Sequence, residues 1–143
     1  MDVAQIIADR RGADIITCDV STPVRTAVQL LATKRIGAVP VMRDGMIAGI
    51  FSERDVLYRL ADEGESCLSR QVGDVMTDTP ITVDPATRAD EALGLMTRRR
   101  IRHLPVIESG ALIAFISIGD LVKGRIDEVE REAEAIRSYI QTA

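Results

Sequence analysis

The stretch that decides the fold is Gly49-Ile50-Phe51-Ser52-Glu53-Arg54-Asp55, because a second version stands 65 residues later as Ala114-Phe115-Ile116-Ser117-Ile118-Gly119-Asp120. Extending outward at that offset lays Ile16–Leu57 over Ile81–Val122 without a gap, and 13 of the 42 aligned pairs are identical. They include Thr17/Thr82, Asp19/Asp84, Thr22/Thr87, Pro40/Pro105, Gly45/Gly110, Ser52/Ser117 and Asp55/Asp120. Most other pairs exchange one apolar residue for another. Two copies at so long a period predict a pseudo-symmetric pair sharing a core, not a solenoid.

Each copy reads as strand, helix, strand, strand, helix, an α+β pattern. Thr22 and Thr87 are placed to cap the first helix of each copy, with Pro23 at its first position in one and Asp90 at the capping-box position in the other. Ala27, Leu30 and Leu31 then follow at helical spacing, mirrored by Ala92, Leu95 and Met96. Val39–Met42 and Leu104–Ile107 are short apolar runs ending in the turns Arg43-Asp44-Gly45 and Glu108-Ser109-Gly110, so hairpins are expected with Ile47–Phe51 and Leu112–Ile116. Pro40 and Pro105 require that each central strand lie at an edge or carry a bulge.

The chain divides into a docking segment over 1–14, repeats over 15–61 and 80–126, a linker over 62–79 and a terminal helix over 127–143. Val3, Ile6 and Ile7 predict a short docked helix capped by Asp2, and Val72–Thr77 a docked helical turn. Val122, Ile126, Val129, Ala133, Ile136 and Ile140 recur at spacings of four and three, with Asp127 and Arg131 as a supporting pair. That seam must dock on the chain's own core or on a second subunit. A homodimer through the repeat helices and the terminal helix is the expectation.

Composition narrows the function. With 143 residues, 46% of them apolar, the chain is long enough to bury a core without staples. Cys18 and Cys67 are far apart and have no neighbouring Cys or His, which offers neither a disulfide framework nor a zinc site. The opening residues do not read as a signal peptide and no apolar run is long enough to span a membrane, so a cytoplasmic protein is expected. A net charge of −4, with two Phe, two Tyr and no Trp, argues against a nucleic-acid partner. His103 is the only histidine, and no nucleophile elbow, Walker loop, dinucleotide fingerprint or zinc-protease motif occurs. An enzyme is not expected.

The candidate site is Ser-x-x-Asp, as Ser52/Asp55 and Ser117/Asp120. The spacing is that of a capping box, which closes free backbone donors and needs no ligand. The same helix start presents N–H groups and a partial positive charge that suit a phosphate, and the Asp carboxylate beside it can accept both hydrogens of a ribose diol. A second constellation is the basic run Arg98–His103. Arg98, Arg99 and Arg100 suit a helix carboxyl end, whereas Arg102 and His103 precede an apolar strand and can present charge into a cleft. Their counterparts in the first copy are Gly37 and Ala38, so two sites built this way cannot be equivalent.

These residues together resemble a tandem pair of CBS domains, named for cystathionine β-synthase. The likeness covers about residues 12–126, with Val75-Met76-Thr77 resembling the usual start of such a repeat. The chain as a whole is similar to bacterial stand-alone CBS-pair proteins. The resemblance implies a non-catalytic regulatory module that senses AMP, ADP, ATP or NAD in clefts between the copies. It assigns the ribose hydroxyls to Asp55 and Asp120, and the sugar and phosphate to Ser52 and Ser117. It brings Arg54, Arg102 and His103 to phosphates, and Thr17 and Thr82 near the adenine. Ala114 stands where the motif has glycine, so a tighter second cleft is expected. The readings left open are a structural interaction module with empty clefts and a nucleic-acid-binding regulator.

Overall fold

The hairpins form at two left-handed residues each: Asp44 and Gly45 at φ 51° and 78°, Ser109 and Gly110 at φ 52° and 80°. This is the two-residue turn whose twist matches that of paired strands. In the computed structural model, which describes residues 1–142, these turns join β2 (Ala38–Arg43) to β3 (Met46–Ser52) and β5 (His103–Glu108) to β6 (Ala111–Ser117). Each pairing shifts register just past its proline, between Val41 and Met42 and between Val106 and Ile107. Of the two options left by Pro40, the bulge is realised, because β2 lies inside a four-stranded sheet ordered β1 (Cys18–Asp19), β2, β3, β4 (Thr77–Asp78).

Around the hairpins stand α1 (Val3–Ile6), α2 (Val24–Lys34), α3 (Glu53–Glu63), α4 (Val72–Val75), α5 (Ala89–Arg99) and α6 (Ile118–Thr142). Helix α2 buries Val24, Ala27 and Leu31, and α5 buries Ala92 and Met96, the faces expected from their spacing. Both close on an arginine in the left-handed region, Arg35 and Arg100 at φ 54°, and the following isoleucine N–H bonds back to Leu31 or Met96. The expected threonine caps are not formed. Thr22 and Thr87 instead accept the N–H of Asp19 and Asp84 in the turn before the helix. Pro23 and Arg88 take the cap positions with no side-chain bond.

The first turns of α2 and α5 are satisfied by backbone from elsewhere. Val24 N–H donates to Arg70 O and Val72 N–H to Thr22 O, while Ala89 N–H donates to Met1 O and Val3 N–H to Thr87 O. The two docking segments are therefore equivalent, and each lies on the repeat it does not lead. Val72 and Val75 complete the core of the first repeat around Val39, Val41 and Phe51. Val3 and Ile7 complete the core of the second around Leu104, Val106 and Ile116. No polar side chain is buried among the described residues.

The symmetry breaks at the sheet edges. In the first repeat β4 pairs antiparallel with β3, setting Gly49 opposite Asp78. A Cβ on Gly49 would lie 2.6 Å from the Thr77 carbonyl oxygen and 2.7 Å from Met76 Sδ, so only glycine fits. The corresponding stretch before the first repeat is a 3₁₀ turn over Ala8–Arg10 and does not pair with β6. Ala114 has room there. The first strand of the second repeat shrinks to one bridge, Val83 with Val106.

Helix α6 runs unbroken for 25 residues. The expected Asp127–Arg131 pair is replaced by Arg125–Glu128 at 3.1 Å and Glu134–Arg137 at 3.6 Å. Along it Val122, Ile126, Val129, Ile136 and Ile140 stay exposed. Ala143, the last residue of the expected terminal helix, lies outside the described residues. Among these, no helix is long and apolar enough to cross a membrane.

Candidate functional site

Each Ser-x-x-Asp element lands at the amino end of a long helix, directly after the strand that leads into it. At α3 the Ser52 N–H donates to Asp55 Oδ2 at 2.8 Å, and Asp55 N–H donates to Ser52 Oγ at 3.4 Å. At α6 the Ser117 N–H donates to Asp120 Oδ2 at 2.7 Å, and Asp120 N–H donates to Ser117 Oγ at 3.2 Å. The capping boxes are real. They also fix each carboxylate at a helix start, half-buried and facing a cleft between the repeats.

Cleft one, of about 220 Å³, draws one wall from the first repeat through Ile50, Ser52, Glu53, Arg54, Asp55 and Tyr58. Thr77 and the second repeat's Arg100, Ile101, Arg102 and His103 supply the other. The Thr77 hydroxyl donates to Asp55 Oδ1 at 3.2 Å. Arg54 Nη1 reaches across the repeats to the Arg100 carbonyl at 3.0 Å, and Arg102 pairs with Glu53 at 3.5 Å. Three arginines against two carboxylates leave this cleft cationic, which suits a phosphate. A groove of about 610 Å³ adjoins it through Gly37, Glu53, Arg102 and His103.

Cleft two, of about 310 Å³, is lined by Ser117, Asp120, Phe115 and Ala114 of the second repeat with Ile16, Ile36 and Ala38 of the first. It is the larger of the two, not the tighter as Ala114 suggested. Its carboxylate has a different partner: Arg10 Nη2 lies 3.1 Å from Asp120 Oδ2.

His103 lines both clefts and forms part of the wall between them. Its ring stacks on Phe115 with centroids 5.2 Å apart. Burial and then the Arg102 charge hold its pKa below the ordinary histidine value, against the opposing pull of Asp120 and Glu53. The imidazole is therefore neutral near pH 7, a hydrogen-bonding group and not a fixed cation.

Of the nine residues expected at the site, Ser52, Arg54, Asp55 and Arg102 gather in cleft one, Ser117 and Asp120 in cleft two, and His103 in both. Thr17 and Thr82 are exposed and line neither cleft. Thr77, Tyr58, Glu53, Phe115 and Arg10 were not singled out as site residues. Glu53 was legible as part of the motif itself, and Thr77 as the end of the Val75-Met76-Thr77 element. Arg10 carried no sequence signal. Cys18 offers no chemistry, since burial, with Asp19 beside it, pushes its thiol up to about 11. No cluster of three metal-ligating side chains occurs among the described residues.

Comparison with known proteins agrees with this architecture. The family model for the CBS domain matches twice, over residues 3–62 and 72–127. The mitochondrial CBS domain-containing protein CBSX3 of Arabidopsis thaliana is 39% identical over 129 residues, or 87% of this chain, and the match spans 63% of that relative's length. The solved structure of a protein with CBS domains from Burkholderia ambifaria, named for signal transduction, superposes with a TM-score of 0.82 at 40% identity, covering 89% of this chain and 95% of the other. CBSX2, solved in complex with AMP, superposes at 0.75 with 26% identity over 88% and 96% of the two chains. The duplicated fold, the paired clefts and the twofold match to one model place this chain in the CBS-domain family, as a pair of CBS repeats.

Proposed function

We propose that the chain is a regulatory module that senses an adenine nucleotide, AMP, ADP, ATP or NAD, through its two inter-repeat clefts. The observation carrying this reading is the repeated pairing of a helix amino end with a fixed carboxylate, Asp55 in one cleft and Asp120 in the other. Helix N–H groups suit phosphate and the carboxylate suits a ribose diol. The AMP-bound neighbour, similar over most of both chains, supports the same ligand class. The arginines of cleft one favour phosphate there. Because each cleft takes walls from both repeats, a bound nucleotide bridges them. It shifts their relative arrangement only by the difference in its affinity for the two arrangements.

The reading extends to a homodimer built on the exposed apolar stripe of α6, where Ile126, Ile136 and Ile140 are 52%, 60% and 67% exposed. A second copy offers the same stripe in twofold-related form. The proposed setting is the cytosol, where thiols such as Cys18 and Cys67 stay reduced.

Thermal unfolding with AMP, ADP, ATP and NAD tests the central reading. A ligand at a hundred times its dissociation constant stabilises the fold by about 2.7 kcal/mol. Asp55→Ala and Asp120→Ala should each remove part of that shift and the double variant all of it. No shift with any of the four at millimolar concentration contradicts the proposal.

A further inference from the structure

We propose that Arg10 makes cleft two selective for phosphorylated over unphosphorylated adenosine ligands; this rests on the nucleotide reading above. Arg10 is the only Arg or Lys among the described residues lining cleft two, whose other charged groups are Asp14 and Asp120. His103, the remaining titratable group of that wall, is held neutral by burial. Within cleft two a phosphate finds one cation, Arg10, beside the backbone N–H groups of the α6 start; Lys123 and Arg131 line the neighbouring groove, which shares Arg10 and Asp120.

The cation of cleft two already has a partner. Arg10 Nη2 stands 3.1 Å from Asp120 Oδ2, the oxygen that also accepts the Ser117 N–H. A ribose diol that takes both oxygens of Asp120 must take this one from Arg10. The backbone of Arg10 is anchored beside the cleft, its N–H bonded to the carbonyl of the fully buried Ile7 at 3.0 Å, so the side chain stays within reach of a phosphate there. The neighbouring Arg11 is tied to Glu108 at 3.2 Å. With a phosphorylated ligand the released Arg10 gains a new anion. With a neutral nucleoside it gains nothing, and the lost ion pair is not replaced.

Cleft one lacks this device. Asp55 Oδ1 is held by the Thr77 hydroxyl, which a diol can displace or share without separating opposite charges. Thr77 corresponds to Ala8 by the equivalence of the docking segments, so no hydroxyl takes that role in cleft two. The two clefts thus use one ribose group and different gates.

The test is titration calorimetry with AMP and adenosine on Asp55→Ala protein, where cleft two alone responds. AMP should bind more than tenfold tighter than adenosine. Adding Arg10→Ala should weaken AMP about tenfold and leave adenosine equal or tighter, since Asp120 is then free. Arg10→Lys keeps the charge, loses the fork and should fall between; thermal unfolding of each variant confirms an intact fold. An AMP-to-adenosine ratio unchanged by Arg10→Ala overturns the proposal. So does Asp55→Ala protein that binds neither probe while the wild type binds AMP, which would leave the nucleotide reading standing for cleft one. A wild type that binds neither overturns that reading itself.

Discussion

His103 stands where the two clefts meet, and its ionisation is the clearest property of a single side chain here. Burial lowers its pKa from 6.5 in the folded chain. Between that lowered value and 6.5 the unfolded chain holds more protons, so stability is full above 6.5 and falls as pH drops through this window. As the only histidine, its ring resonances can be followed directly by NMR. They should titrate below 6.5, and His103→Gln should flatten stability against pH in that window; a midpoint at or above 6.5 contradicts the account. Ser52, Asp55, Ser117 and Asp120 were legible from sequence because a duplicated motif marks them twice. Arg10 was not, because its partner lies 110 residues away and its place depends on a segment docking on the distant repeat. Thr17 and Thr82, duplicated just as well, show that repetition can preserve a residue that lines no cleft.

At the scale of elements, periodicity and turn residues located α2, α5 and both hairpins. The caps of α2 and α5 were misread because backbone carbonyls of Met1 and Arg70 do the work assigned to threonine side chains. No local pattern reports a partner so far away. The short β4 was invisible as well, yet it explains why Gly49 and Ala114 differ. Gly49→Ala would drive a Cβ against the Thr77 carbonyl and Met76, and should cost about 1–3 kcal/mol through forced displacement of β4. Chemical denaturation measures this as a lowered midpoint with unchanged slope. An unchanged midpoint would mean that β4 does not hold its place against β3. The same variant should weaken nucleotide binding in cleft one, because Thr77 moves with β4 and its hydroxyl positions Asp55.

For the whole molecule, a pseudo-twofold frame carries unequal chemistry: a smaller cationic cleft beside a larger one governed by a single arginine. The repeat made the frame legible, whereas the inequality comes from flanking segments that are equivalent in docking and different in sequence. The exposed stripe on α6 belongs to this scale too. Sedimentation velocity should find a dimer that Ile136→Asp with Ile140→Asp converts to monomer; a monomeric wild type at micromolar concentration contradicts the homodimer. The central claim is that one duplicated carboxylate serves two unequal nucleotide clefts. Titration calorimetry of AMP into the wild type, Asp55→Ala and Asp120→Ala proteins tests it most directly. The account predicts two sites of different affinity in the wild type, one lost in each variant and none left in the double variant. Full binding that survives both substitutions would contradict it.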